Sequence, residues 1–251
     1  MTEQEWLACT DPTLLLQFVR GKFSDRKLRL FAVACCRRIW QLIDDDRSRQ
    51  AIVIAEEFAD GRVGAADLVD ASMSAQAVAD GVYESSFDTV PSLDPDWGYQ
   101  AHEVAVDASS AAYACTSASE ANRTDVESAV SEAAQAVAHA AEPLRPESAY
   151  RSNTPQRLTA RTNEIAAQAA LFHDIIGNPF HPVTADSSWL TASVLTVAHA
   201  IYDDRCFEES PILADALEDA GCTHATLLDH LRSPGPHVRG CWALDAVLRL
   251  K

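Results

Sequence analysis

The stretch that most restricts the fold is "SDRKLRLFAVACCRRIWQLI", residues 24–43. Its apolar residues fall at Leu28, Phe31, Ala32, Cys35, Ile39 and Leu42. That i, i+3, i+4, i+7 rhythm covers one face of a helix with 3.6 residues per turn. A strand would need strict alternation, and this segment has none. Ser24 stands where an N-cap belongs, and Asp25 complements the positive end of the helix in its first turn. The same rhythm recurs along the chain, and no alternating pattern persists for more than a few residues. The expected fold is therefore all-α, a multi-helix bundle or a helical-repeat-like array.

Punctuation residues predict the helix boundaries. Asp11 followed by Pro12 starts one helix, and Gly61 closes another. The segment "SSFDTVPSLDPDWG", residues 85–98, reads as a loop. An Ala/Ser-rich stretch from about Tyr99 to Ala141 reads as two helices split near Asn122–Thr124, with Thr124 as cap. The next helix ends at Gly177, and "NPFHPV" must leave it because of its two prolines; Phe180 is expected to plug the core. Asp186 or Ser187 caps a helix running to Arg205. Ser210 with Pro211 starts a short one that Gly221 ends, Thr223 caps residues 224–232, and the final helix starts near Val238. The 251 residues read as one helical domain, 1–251, with a variable Ala/Ser-rich middle at 62–160.

Charge narrows the partners. Acidic residues number 37 against 20 basic ones, a formal net charge of −17. Such a field repels polyanions, which argues against nucleic acid and against anionic membrane. The opening "MTEQEWLACTDP" has neither a basic region nor an apolar run of signal-peptide type. Seven cysteines, an odd number, fit reduced thiols. A cytoplasmic location is the expectation.

Chemistry-bearing residues gather near the C-terminus. Cys222, His224, His230, His237 and Cys241 follow the pattern C-x-H-x5-H-x6-H-x3-C. Cysteine thiolates and histidine imidazoles are the donors zinc takes in a tetrahedral site. His224 and His230 face different sides of one predicted helix, so the four-ligand subset is Cys222, His230, His237 and Cys241. Within "HVRGCWALD", residues 237–245, His237, Cys241 and Asp245 are four apart. On a helix this makes a ridge that drifts about 40° per step. Ridge neighbours do not automatically face one another, so a packing role for Val238, Cys241, Trp242 and Leu248 stands against a catalytic row. Asp245, Arg239 and Arg205 suit a buried ion-pair network. Cys35 and Cys36 read as buried thiols, while Asp44–Asp46, Glu56–Glu57 and Glu208–Glu209 read as solvated charge. No phosphate loop, nucleophile elbow, HExxH or EF-hand motif occurs.

Two segments resemble an uncharacterised family of bacterial proteins of planctomycete type. They are "EWLACTDPTLLLQFVRGKFSDRKLRLFAVACCRRIW", residues 5–40, and residues 175–248, from "IIGNPFHPV" through "AIYDDRCFEESPILADALEDAGC" to "HVRGCWALDAVL". The resemblance implies that the two ends form one structural unit; it brings no activity, cofactor or partner. The expected function is a non-catalytic helical protein-interaction or scaffold module for a protein partner. The alternatives are a zinc-binding or thiol-dependent protein built on the C-terminal His/Cys cluster, and a small-molecule-binding helical bundle.

Overall fold

A computed structural model describes residues 1–88, 95–118, 122–141 and 154–250. The fold is all-α. The helices are α1 (Glu3–Ala8), α2 (Pro12–Phe18), α3 (Asp25–Arg38), α4 (Asp46–Ala59), α5 (Ala65–Asp88), α6 (Pro95–Ser117), α7 (Arg123–Ala140), α8 (Pro155–Ile176), α9 (Ala192–Asp204), α10 (Ser210–Asp219), α11 (Ala225–Arg232) and α12 (Trp242–Leu248). Three short 3-10 turns join them, and no strand occurs among the described residues. No helix among these residues is long and apolar enough to cross a membrane.

The helices sort into two compact units, Thr10–Ala169 and Met1–Cys9 with Ala170–Lys251; the division falls inside α8. In the first unit, α3 is the central element. Asp11 caps α2 through Thr13 N (2.8 Å), and Pro12 occupies the first helical turn. Nine consecutive residues of α3, Leu28 to Cys36, are buried. Burial on so many sides forces its basic residues to find partners. Arg37 grips Glu56 with two hydrogen bonds (3.2 and 2.7 Å), and Arg38 grips Glu164 likewise (2.7 and 2.8 Å). Glu56 is thus a buried ion-pair partner, not the solvated charge that its neighbour Glu57 suggested. Cys35 and Cys36 are buried thiols, the latter donating to Ala111 O (3.2 Å). Along α6 and α7 most of the buried residues are small, among them Ala108, Ala111, Ala112, Ala129, Ala133 and Ala136. Side chains this short let helix backbones approach closely.

In the second unit, α1 opens with a capping box. Thr2 Oγ1 accepts from Glu5 N, and Glu5 accepts from Thr2 N. Its buried Trp6 lies against Phe172 (6.0 Å) and edge-on to His173 (5.2 Å), near the end of α8. His173 also meets Cys9 O (3.1 Å), and Asn178 donates to Glu3 (2.7 Å). The core of α9–α12 is built on Val194, Ala198, Ile201, Leu213, Leu217, Leu227, Leu231, Leu244 and Val247. Arg239 is buried with its guanidinium over the Tyr202 ring (5.2 Å).

Several boundaries differ from the expected ones, each for a local reason. Helix α5 continues to Asp88 and α6 begins at Pro95, so the two ends of the expected loop at 85–98 are helical, and its remainder, 89–94, lies outside the described residues. Asn122, not Thr124, precedes α7. Asp186 caps only a 3-10 turn, while Thr191 caps α9 by accepting from Val194 N (3.4 Å). Helix α10 includes Ser210, with Glu209 at the cap position. Phe180 is 38% exposed and plugs nothing. The two corrections that matter most lie nearer the C-terminus. His224, not Thr223, caps α11, its Nδ1 accepting from Leu227 N (3.4 Å). Helix α12 begins at Trp242, four residues later than expected.

Candidate metal centre

Residues 233–241 are not helical, and this creates the site. A turn closes with Cys241 N donating to Val238 O (2.9 Å), and Gly240 sits in it at φ +91°. Glycine adopts that left-handed backbone without a Cβ penalty, as the third residue of a type II turn requires. The chain therefore bends between His237 and Cys241. On a helix their side chains would stand stacked; across the bend they converge.

Their common target is Asp174, in the last turn of α8. Asp174 Oδ1 lies 3.1 Å from His230 Nε2 and 3.1 Å from His237 Nδ1. Cys241 Sγ lies 3.2 Å from His230 Nε2 and 3.9 Å from His237 Nδ1. One donor atom from each of Asp174, His230, His237 and Cys241 falls within 4.8 Å of every other. A tetrahedral zinc ion with metal–nitrogen or –oxygen distances near 2.0–2.1 Å has donor–donor edges of about 3.3 Å. With sulfur near 2.3 Å the nitrogen–sulfur edge becomes about 3.6 Å. The two oxygen–nitrogen spacings lie just below the first value and the two nitrogen–sulfur spacings span the second, so the donor set comes close to that of a four-coordinate ion.

Outer contacts orient two of these donors. Asp174 Oδ2 accepts from Val238 N (3.1 Å), which leaves Oδ1 as the inward oxygen. His237 Nε2 lies 3.2 Å from Ser233 O. A carbonyl can only accept, so Nε2 carries the hydrogen and Nδ1 presents its lone pair when the ring is neutral. Cys241 stands fully buried at the cap position of α12, without a side-chain cap hydrogen bond.

Electrostatics follow from this packing. Burial pushes the Asp174 carboxyl upward, but hydrogen bonds and charge from His230 and His237 outweigh it and hold it below its ordinary value. Burial works to lower His237, yet its hydrogen bond and attraction to Asp174 leave it raised. Cys241 is pushed well up, first by burial and then by the Asp174 charge, with the Ala243 and Leu244 amides pulling back. A bound cation inverts this logic, because a coordinating thiol is deprotonated outright.

Of the four residues expected as ligands, His230, His237 and Cys241 are brought together. Cys222 lies elsewhere. It follows α10, donates its N–H to Leu217 O (2.9 Å) and is buried in the apolar cluster. His224 is occupied at the α11 cap, and Asp245 is buried on α12, neither being among the four clustered donors. Asp174 was missed. Its signal was a single carboxylate in "LFHDII", amid Leu171, Phe172, Ile175 and Ile176, where an unpaired charge would be costly to bury. Compared with known proteins, the chain matches no family model, and no curated protein or solved structure shows significant similarity to it.

Proposed function

We propose that this chain is a non-catalytic helical protein whose C-terminal unit is closed by one structural zinc ion, held by Asp174, His230, His237 and Cys241. The observation that carries the reading is the convergence of four donor atoms of zinc-type chemistry within 4.8 Å. The mixture of one sulfur, two imidazoles and one carboxylate suits zinc and disfavours calcium or magnesium, which take oxygen donors at higher coordination number. A catalytic zinc site keeps one position for water, whereas four protein donors fill a tetrahedron. Burial supports the structural role: the Asp174 and His237 side chains are 2% and 5% exposed. The ion would tie the end of α8, α11, the 233–241 bend and the start of α12 to one point. Such a closed unit suits a scaffold or protein-interaction role, with the partner a protein and not a polyanion.

The test is metal content and affinity. Protein purified without chelators and then titrated against a chromophoric zinc chelator is expected to bind one zinc per chain. Substituting His237 or Cys241 by Ala removes that binding. Wild-type protein that neither carries zinc nor competes for it would refute the reading, and would leave Asp174 and its histidines as a hydrogen-bonded core network.

A further inference from the structure

Two of the four donors are fixed by main-chain groups, Asp174 by Val238 N and His237 by Ser233 O, and a third, Cys241, by complete burial. His230 is not. Its side-chain hydrogen bonds among the described residues run through Nε2 alone, to Asp174 and Cys241. It is also the most exposed donor, its side chain 20% exposed. What holds its ring is packing. The indole of Trp242 lies 4.6 Å from the His230 ring at 43°, and the His237 ring meets it edge-on at 4.9 Å. Trp242 directly follows the ligand Cys241 and is half-buried. Behind it stands Gly177, the residue after α8, at φ +72°. A Cβ built there would lie 2.9 Å from Trp242 Cγ and 3.1 Å from Cδ1. Indole and backbone are thus in contact at a distance that only glycine permits.

We infer that Trp242, seated on Gly177, is a positioning residue that orients His230 for the metal and covers that ligand against water and competing chelators. The inference rests on the metal reading above. Its chemistry is that of an outer partner: metal-bound imidazoles are ordinarily oriented by a hydrogen bond from the second ring nitrogen, and here an aromatic face does that work. The arrangement also joins both ends of the site. Gly177 lies three residues beyond the ligand Asp174, and Trp242 one residue beyond the ligand Cys241, so the contact that orients His230 also sets the separation of two other donors.

The experiment compares wild type, Trp242→Phe, Trp242→Ala and Gly177→Ala as full-length proteins, with Ile201→Val as a core control away from the site. Three readouts are taken: zinc affinity by competition, the rate of zinc loss to excess EDTA, and the visible spectrum of the cobalt-substituted protein. Trp242→Ala is expected to weaken zinc binding about 10–100-fold, the range seen when outer partners of metal ligands are lost, and to speed release by a similar factor. Trp242→Phe keeps a flat ring over His230 and stays within a few-fold of wild type. Gly177→Ala, which must displace the indole, behaves like Trp242→Ala, and both alter the cobalt spectrum. Ile201→Val lowers stability without changing affinity or spectrum. Should Trp242→Ala fail to fold, Gly177→Ala against Trp242→Phe still decides. Wild-type affinity, release rate and spectrum in Trp242→Ala or Gly177→Ala overturn the inference while the metal site stands. Absence of zinc binding by wild type overturns both, and the two failures are told apart by the wild-type measurement alone.

Discussion

Asp174→Asn separates a metal centre from a buried hydrogen-bond network. Asparagine keeps the shape of the side chain and an oxygen for Val238 N, which lies 3.1 Å from Asp174 Oδ2. It removes the charge that faces His230 Nε2 and His237 Nδ1, each 3.1 Å from Oδ1. Without metal, two hydrogen bonds lose their ionic acceptor, and the expected destabilisation is about 2–3 kcal/mol. With metal a further difference appears. At free zinc a thousandfold above its dissociation constant, wild type gains about 4.1 kcal/mol by mass action. If the variant binds 100-fold more weakly, the upper figure for an outer partner and a floor for a ligand, the same zinc gives it only about 1.4 kcal/mol. The metal-dependent gap is about 2.7 kcal/mol, or about 5–11 °C in melting temperature for a chain of this size. The assay is thermal unfolding of both proteins with EDTA and with buffered zinc. A gap between the proteins that is the same in EDTA and in zinc refutes the reasoning, because the carboxylate then serves hydrogen bonding only.

Other outcomes follow from the same geometry. Cys222→Ala leaves zinc stoichiometry and affinity unchanged and costs about 1 kcal/mol of stability from lost packing, whereas Cys241→Ala abolishes zinc binding; equal loss of zinc in both would restore Cys222 as a ligand. Glu132 in α7 is raised to about 7, first by burial and then by the charge and hydrogen bond of Asp107, with His139 opposing. A carboxyl raised in the folded state contributes stability that is complete below its unfolded value of 4.5 and is lost as pH rises through about 7. After discounting for screening the term is about 1 kcal/mol. Urea unfolding from acid to neutral pH should show this decline in wild type and a flatter profile in Glu132→Gln; parallel profiles would contradict it.

How much of this was legible beforehand differs between fold and site. The apolar period of α3, the cap Asp11 and the position of Ser24 before α3 mark helices locally, and the all-α fold follows from such local signals. The site depends on two things that a helical pattern hides. The spacing of His237 and Cys241 fits a helix ridge, but Pro236 and Gly240 place both residues in the 233–241 bend, and only there do they converge. Asp174 lies 56 residues before His230, and no local spacing links them. The charge of α4 misled in the opposite way. Glu56 reads as a polar-face residue beside Glu57, but it is buried against Arg37, nineteen residues earlier on another helix. His224 carried a metal-type side chain at a helix start, where a ring nitrogen can cap as well as coordinate, and capping is what it does.

The proposed zinc ion is held by Asp174, His230, His237 and Cys241 together. Zinc X-ray absorption on the loaded full-length protein tests it most directly. One sulfur at about 2.3 Å and three nitrogen or oxygen neighbours at about 2.0–2.1 Å are expected, and Cys241→Ala retains no zinc. A zinc environment of six oxygens, a sulfur signal that survives in Cys241→Ala, or protein that holds no zinc would contradict it.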